Sequence, residues 1–439
     1  MELKDKVIYQ LFLTDFTESG TFSSATKRLP YLKELGVDLI QLLPFYRIGE
    51  KDKKGTLGSP YSIRDYEKVD PRLGTIEEAK EFIKEAHRLG MKVLFDVVFH
   101  HTSRDSSLLK THPGWFFYKQ DGSLGNHVGD WSDVVDFSFT GHSDLEEYLI
   151  KVLYTYISWG ADGFRFDVAS MIPVSFYKRM FASLKDKDLI YVGESVDASF
   201  CNYIRSIGEP CLSNQELFSL GFNALYHYFS WENLKKYLST NEAQYLEKYK
   251  VALALESSAA QENGLIIRAI ENHDNPRMAS YRNNVSFLKN LLAYSFFSKG
   301  PAFLYNGEEN GDKHYPDFFE KEPLDFIKRN EEIFAYTKLL IERKHHSSFS
   351  SLHTSLPLDY EGRVLVIENL DESGRRTLGL FNLDEKPVHF CPHPSENGRY
   401  IDLLSQKEIA LKKEGITINE PMWLVEDHYV NGKRDVKDQ

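Results

Sequence analysis

The stretch YISWGADGFRFDVAS, residues 156–170, decides the fold. Residues Tyr156–Trp159 continue a helical pattern, Gly160 stops it, and the apolar run Gly163–Val168 follows at once, carrying Asp167 near its end. A glycine just past a helix takes the left-handed cap that other residues avoid. A short apolar run bounded by such a turn reads as a buried parallel strand. The same punctuation recurs at Gly36 in LKELGVDLIQLLP, Gly90 in AHRLGMKVLFDVV and Gly300 in FFSKGPAFLYNG. Helices and strands therefore alternate, which predicts a parallel sheet with right-handed crossovers.

Eight strands are expected: Ile8–Leu13, Leu39–Leu43, Val93–Val98, Gly163–Val168, Ile190–Val192, a sixth near Gly221–Leu225, Ile266–Ile270 and Ala302–Tyr305. Eight units suggest a closed (β/α)8 TIM barrel, an α/β fold, rather than an open sheet. Helix starts agree. Thr75 with Glu78 forms a capping box, and Ile76, Ala79, Ile83, Ala86 and Leu89 follow on one face. Another helix begins at Ser143 or Asp144. Between His101 and that helix lies a connection long enough to be a subdomain, with Trp115, Phe116, Phe117, Tyr118 and Trp131 to fold around. From about residue 346 short alternating runs (RVLVIENL, TLGLFNL, ITINEPMWLVED) replace the helical rhythm. We expect a barrel over residues 1–100 and 141–345, a short insertion after strand 3 over 101–140, and an antiparallel β domain, a β-sandwich, over 346–439.

With 439 residues, 42% hydrophobic and 27% charged, the chain has the composition of a soluble globular protein with a sizeable core. A formal net charge of -12 argues against nucleic acid or an anionic membrane as partner. Three cysteines give no disulfide framework, and the start MELKDKVIYQ lacks the pattern of a secretory signal. No apolar run reaches membrane-helix length, so the expectation is a cytoplasmic protein. No pattern fixes an oligomeric state.

Carboxylates stand where four apolar runs stop: Asp96, Asp167, Glu194 and Asp274. Charged residues at the C-terminal ends of barrel strands read as catalytic. Arg165 and Asp167, two apart on a strand, share a face. The guanidinium is expected to lower the Asp167 pKa and keep it ionised for nucleophilic attack; a structural ion pair is the plain alternative. Glu194, partly desolvated beside other acids, is expected to hold a proton as general acid. His273 and Asp274 could bond vicinal hydroxyls, although HDNP is also rich in turn formers. His100, His101 and Asp96 raise the question of a metal, but neighbours on a strand point to opposite faces, so no metal and no cofactor are expected. Two carboxylates flanking one bond suit glycoside hydrolysis.

At this point the chain resembles the α-amylase family of glycoside hydrolases, family 13. DVVFHH (96–101), GFRFDVAS (163–170), VGES (192–195) and ENHD (271–274) match its four short motifs in order and spacing, and SPYSIRDYEKVDPRLGT (59–75) and YNGEE (305–309) resemble further stretches. The resemblance implies Asp167 as nucleophile, Glu194 as acid and base, and Asp274 on the hydroxyls of a distorted sugar. It implies that Arg165 holds Asp167, that His101 and His273 bond the sugar, that Tyr61 stacks on it, and that Asp96 supports the set. The family retains anomeric configuration, which requires the two carboxyls about 5–5.5 Å apart. Two departures stand out. His100 occupies the position where many members place a calcium-binding Asn, and Ser170 and Met171 stand where many place Lys-His. The structural calcium is therefore in doubt, and activity is expected to survive chelation. The implied substrates are short α-1,4 maltooligosaccharides, with a 4-α-glucanotransferase as the alternative chemistry. A non-catalytic sugar-binding barrel is the alternative of another class, against which stand the three carboxylates.

Overall fold

The computed structural model describes residues 2–128, 131–260, 264–282, 284–315, 317–325, 329–426, 429–430 and 433–434. Eight parallel strands form its centre: β1 (Val7–Leu11), β2 (Leu39–Leu42), β3 (Lys92–Val97), β4 (Gly163–Phe166), β5 (Ile190–Gly193), β6 (Ala224–Tyr226), β7 (Leu265–Ile267) and β8 (Ala302–Tyr305). Their hydrogen-bonded order is β7-β6-β5-β4-β3-β2-β1-β8, the sequential order of a (β/α)8 barrel. At the remaining seam the chain entering β8 meets β7 at Gly300 and Ile266. A Cβ on Gly300 would stand 2.3 Å from the Ile266 carbonyl oxygen, so only glycine permits that approach.

The helices form where the sequence signals them. Thr75 and Glu78 make a complete capping box on the helix Ile76–Arg88, whose buried face is Ala79, Phe82, Ile83 and Ala86. The helix Ser143–Trp159 ends at Gly160, at φ 110°, and the chain drops directly into β4. Five expected strands end early: β1, β2 and β3 stop at Leu11, Leu42 and Val97, one or two residues short of expectation, and two more follow. β4 stops at Phe166 because Val168 turns into the left-handed region, and β7 stops at Ile267. The sixth strand lies a little later than expected, at Ala224–Tyr226.

Inside the barrel the residues are layered. Ile8, Leu39, Leu94, Val192, Ile267 and Phe303 form an apolar plug toward the strand starts. Two residues further along β1, β2 and β3 stand Gln10, Gln41 and Asp96, all fully buried. Gln41 Nε2 donates to the Tyr226 hydroxyl at 2.9 Å across the barrel. The period of two carries the polar layer to the C-terminal end. Cutting Leu94 to Ala would remove part of the plug and cost about 2–5 kcal/mol.

After β3 the chain makes a small excursion in which His101–Ser103 pairs antiparallel with Val134–Asp136. Beyond the barrel lies a six-stranded antiparallel sheet of β9 (Leu352–Pro357), β10 (Val364–Asp371), β11 (Arg376–Asn382), β12 (Gly398–Asp402), β13 (Glu408–Leu411) and β14 (Met422–Glu426), in the order β9-β10-β11-β14-β12-β13. A two-stranded sheet of Val388–Phe390 and Ile416–Ile418 accompanies it. Trp423 on β14, fully buried, packs its ring 5.5 Å from Phe297 of the barrel and so joins the two parts. No helix among the described residues is long and apolar enough to cross a membrane.

Candidate active site

The parallel register sets Asp96 on β3 opposite Arg165 on β4, and Arg165 opposite Val192 on β5. Three strand ends thus converge on one guanidinium. Arg165 Nη1 donates to Asp96 Oδ1 and Oδ2 at 2.8 and 3.0 Å and to Asp167 Oδ1 at 3.0 Å. Its Nη2 forms an ion pair with Glu194 Oε2 at 3.0 Å. Asp167 and Glu194 therefore flank one cation, and Arg165 itself has no solvent exposure.

A second constraint acts on Glu194. The Val168 N–H donates to Glu194 Oε2 at 2.7 Å. Val168 itself adopts φ 37°, ψ 47°, in the left-handed region. For a β-branched residue this conformation stores about 1–3 kcal/mol, and such strain persists where surrounding packing imposes it. Val168 packs among Met171, Cys201, Ile204 and Cys211.

The other implied residues assemble around these. The Tyr61 hydroxyl donates to Asp96 Oδ2 at 3.0 Å and lies 2.8 Å from His273 Nε2. The Tyr61 ring packs against both His273 and Phe318, with centroids at 5.3 and 5.8 Å, and those two rings lie 5.4 Å from each other. His101 Nε2 lies 3.9 Å from Asp167 Oδ2. Asp274 stands at the rim with its side chain 49% exposed, 3.1 Å from His273 Nε2. The Tyr228 hydroxyl donates to it at 3.2 Å. All eight residues singled out from sequence lie in this one constellation. Asp167, Glu194, Asp274, Tyr61, His101 and His273 line a cavity of about 460 Å3, and Asp96 and Arg165 sit beneath it.

The electrostatics correct one expectation. Arg165 does not pull Asp167 below the usual range. Burial and the nearby Glu194 charge push its carboxyl well above that range, and the guanidinium offsets only part of this. Burial likewise raises Asp96 to about 7. One guanidinium serves Asp96, Asp167 and Glu194 together, so its attraction offsets only part of the burial of Asp96 and Asp167. Burial holds the His101 and His273 imidazoles down at about 3, so both are neutral hydrogen-bonding groups at neutral pH.

The cavity walls include residues that sequence reading did not single out for the site: Trp131 from the excursion, Tyr228 and Trp231 after β6, and Phe318 and Phe319 after β8. Aromatic doublets and triplets in long loops were the available signal, but nothing local said which ring would face the cavity.

A second correction concerns His100 and His101. The chain leaves β3 at Val97, bends through Val98–His100, and enters a new strand at His101. The two imidazoles therefore converge, with their Nδ1 atoms 3.3 Å apart, and Asp136 Oδ1 lies 3.7 Å from His100 Nδ1. This is the one group of metal-ligating geometry found among the described residues. It does not fit calcium, which takes six to eight oxygen ligands. Two of the three donors here are imidazole nitrogens.

Comparisons with known proteins agree with this geometry. The sequence profile described as "Alpha amylase, catalytic domain" matches residues 10–121 and 129–337. An alpha-amylase from Lactobacillus plantarum is 31% identical, with a TM-score of 0.87 over 96% of this chain and 98% of its own. A noncanonic maltogenic alpha-amylase from Thermotoga neapolitana is 27% identical, with a TM-score of 0.82 over 98% of this chain and 100% of its own. Among curated relatives, an alpha-1,4-glucan:maltose-1-phosphate maltosyltransferase from Mycobacterium tuberculosis is 26% identical over 364 residues, 76% of this chain and 49% of its own length. A protein of the same description from Streptomyces coelicolor is 28% identical over 246 residues, 52% of this chain and 34% of its own. The chain spans about half or less of the length of these two relatives.

Proposed function

The chain belongs to the α-amylase family, and on that premise we propose that it hydrolyses α-1,4-glucosidic bonds of maltooligosaccharides by double displacement with retention. One observation carries the reading: Asp167 and Glu194 both lie 3.0 Å from the same buried guanidinium, at the floor of a sugar-sized cavity. Two carboxyls on one guanidinium favour the short separation of retaining enzymes, about 5–5.5 Å, over the wider gap that leaves room for an inverting water.

Arg165 ties down Asp167 Oδ1, so Oδ2 attacks the anomeric carbon. Glu194, as general acid, gives a proton to the glycosidic oxygen as its bond to that carbon breaks. The shortened sugar leaves and the remaining glucosyl is covalently held on Asp167. Water then attacks from the vacated side, Glu194 takes its proton, and Asp167 departs as carboxylate. Two inversions give net retention. Neutral His101 and His273 and the rim carboxylate Asp274 bond the sugar hydroxyls without adding positive charge beside the oxocarbenium-like transition state.

A second reading rests on a separate observation. The curated relatives are named maltosyltransferases, and aromatic walls at Trp131, Tyr228 and Trp231 suit an acceptor sugar in place of water. Maltotriose distinguishes the two. Hydrolysis yields glucose and maltose in the α-configuration, whereas transfer yields longer chains. Asp167→Asn is expected to lower turnover at least about 10³-fold, and an unchanged rate would exclude the assignment. We also place the enzyme in the cytoplasm. Cys201, Cys211 and Cys391 are free thiols, in keeping with a reducing compartment. Cell fractionation tests this, and recovery in a secreted fraction would refute it.

A further inference from the structure

We propose that His100 Nδ1, His101 Nδ1 and Asp136 Oδ1 form a site for a nitrogen-preferring divalent transition-metal ion of the zinc class, not for calcium. The spacing fits. In a tetrahedral zinc site with Zn–N of about 2.0–2.1 Å, neighbouring ligand atoms stand about 3.3–3.4 Å apart. Here the two Nδ1 atoms are 3.3 Å apart and Asp136 Oδ1 is 3.7 Å from the nearer one. Three protein ligands leave a fourth position for water.

The cluster is built rather than incidental. The antiparallel register pairs His101 directly with Asp136, so the main chain fixes two of the three ligands opposite each other. The Phe137 N–H donates to the His100 carbonyl at 2.9 Å and locks the third. Asp136 Oδ2 accepts from the His127 N–H and from His127 Nδ1, both at 2.7 Å. These bonds orient the carboxylate as an outer ligand shell does. Its other oxygen, Oδ1, is buried and has no hydrogen-bond partner among the described residues. A simple hydrogen bond between the two imidazoles would satisfy their nitrogens but leave this oxygen unpaired. A cation satisfies all three atoms at once.

The ion would have a defined consequence for the sugar site. A metal on Nδ1 of His101 requires the ring proton to sit on Nε2, the atom that lies 3.9 Å from Asp167 Oδ2. The ion is thus a positioning group that makes His101 a hydrogen-bond donor toward the sugar cavity.

The test uses the full chain, stripped with chelator and titrated calorimetrically with zinc chloride. One zinc per chain, a raised melting temperature, and neither effect with millimolar calcium are expected. His100→Ala and Asp136→Asn should each weaken zinc binding by about a hundredfold or more, since each removes one of three protein ligands. X-ray absorption of the zinc-loaded wild type should read two imidazole nitrogens in the first shell, which keeps the test decisive where a variant fails to fold. The proposal is overturned if the wild type takes up no stoichiometric zinc, if both variants bind as tightly as the wild type, or if the first shell holds fewer than two imidazoles.

Discussion

Arg165→Lys is the sharpest probe of the catalytic floor, because it keeps the charge and removes the fork. Arg165 reaches Asp96 at 2.8 and 3.0 Å, Asp167 at 3.0 Å and Glu194 at 3.0 Å, all in a fully buried setting. A lysine ammonium is a compact point charge without a planar fork. It can sit against Asp96 or between the two catalytic carboxyls, but it cannot hold all three. Each charge-assisted contact contributes about 1.5–3 kcal/mol. Losing the contacts that aim Asp167 and Glu194 therefore costs the transition state about 3–6 kcal/mol. At about 1.36 kcal/mol per decade, kcat/KM on maltotriose should fall about 10²–10⁴-fold. The loss should appear in kcat, because the sugar-bonding residues His273, Asp274 and Tyr61 are left in place. Circular dichroism and the melting curve establish that the variant is folded. A folded Arg165→Lys enzyme within tenfold of wild type would refute the idea that this guanidinium organises the nucleophile and the acid.

Three further outcomes follow from the same geometry. Glu194→Gln should slow maltotriose cleavage by about 10²–10⁴-fold, the range of general acid catalysis. It should act far less on an aryl maltoside whose leaving group needs no proton, and equal losses on both substrates would remove Glu194 from that role. Phe318→Ala takes away the ring that stacks on Tyr61 at 5.8 Å; stacking is worth about 0.5–1.5 kcal/mol, so kcat/KM should fall roughly 2–10-fold, and no change would mean that Tyr61 is held by its hydroxyl contacts and the His273 ring without Phe318. His227 is buried, with its ring Nδ1 2.8 Å from the Ile267 carbonyl and its pKa lowered to about 3. Its folded value lies below the unfolded value of about 6.5, so its contribution is complete above that pH and is lost as pH falls toward 3. The stability gap between wild type and His227→Gln should accordingly narrow by roughly 2 kcal/mol between pH 6.5 and pH 5, as read by denaturant titration at each pH. A constant gap would mean that this imidazole is not held neutral.

Much of the barrel was legible because its signals are local. A helix, a glycine at positive φ, and an apolar run can each be read within a dozen residues, and the glycines at 36, 90, 160 and 300 mark four such joints. The end of β4 was less legible. The apolar run continues through Val168, and its turn into the left-handed region, beside the N–H contact to Glu194, has no local signal in the sequence. The convergence of His100 and His101 was misread for a related reason. Alternation of side chains holds only while the chain stays extended, and here it bends before His101.

The sequence by itself determined the eight-unit order, the antiparallel region that follows, and the identity of the residues at the strand ends. These depend on spacing along the chain, and spacing is a property of the chain alone. Tertiary structure decided how the charges behave and what encloses them. That burial and the neighbouring Glu194 charge outweigh Arg165, and so raise rather than lower the Asp167 pKa, follows only once β3, β4 and β5 lie side by side. That Trp131, Trp231 and Phe318 share one cavity wall follows only once loops far apart in sequence meet over it. Pairwise electrostatics and packing act through space, over a few ångströms, between residues that the sequence keeps far apart.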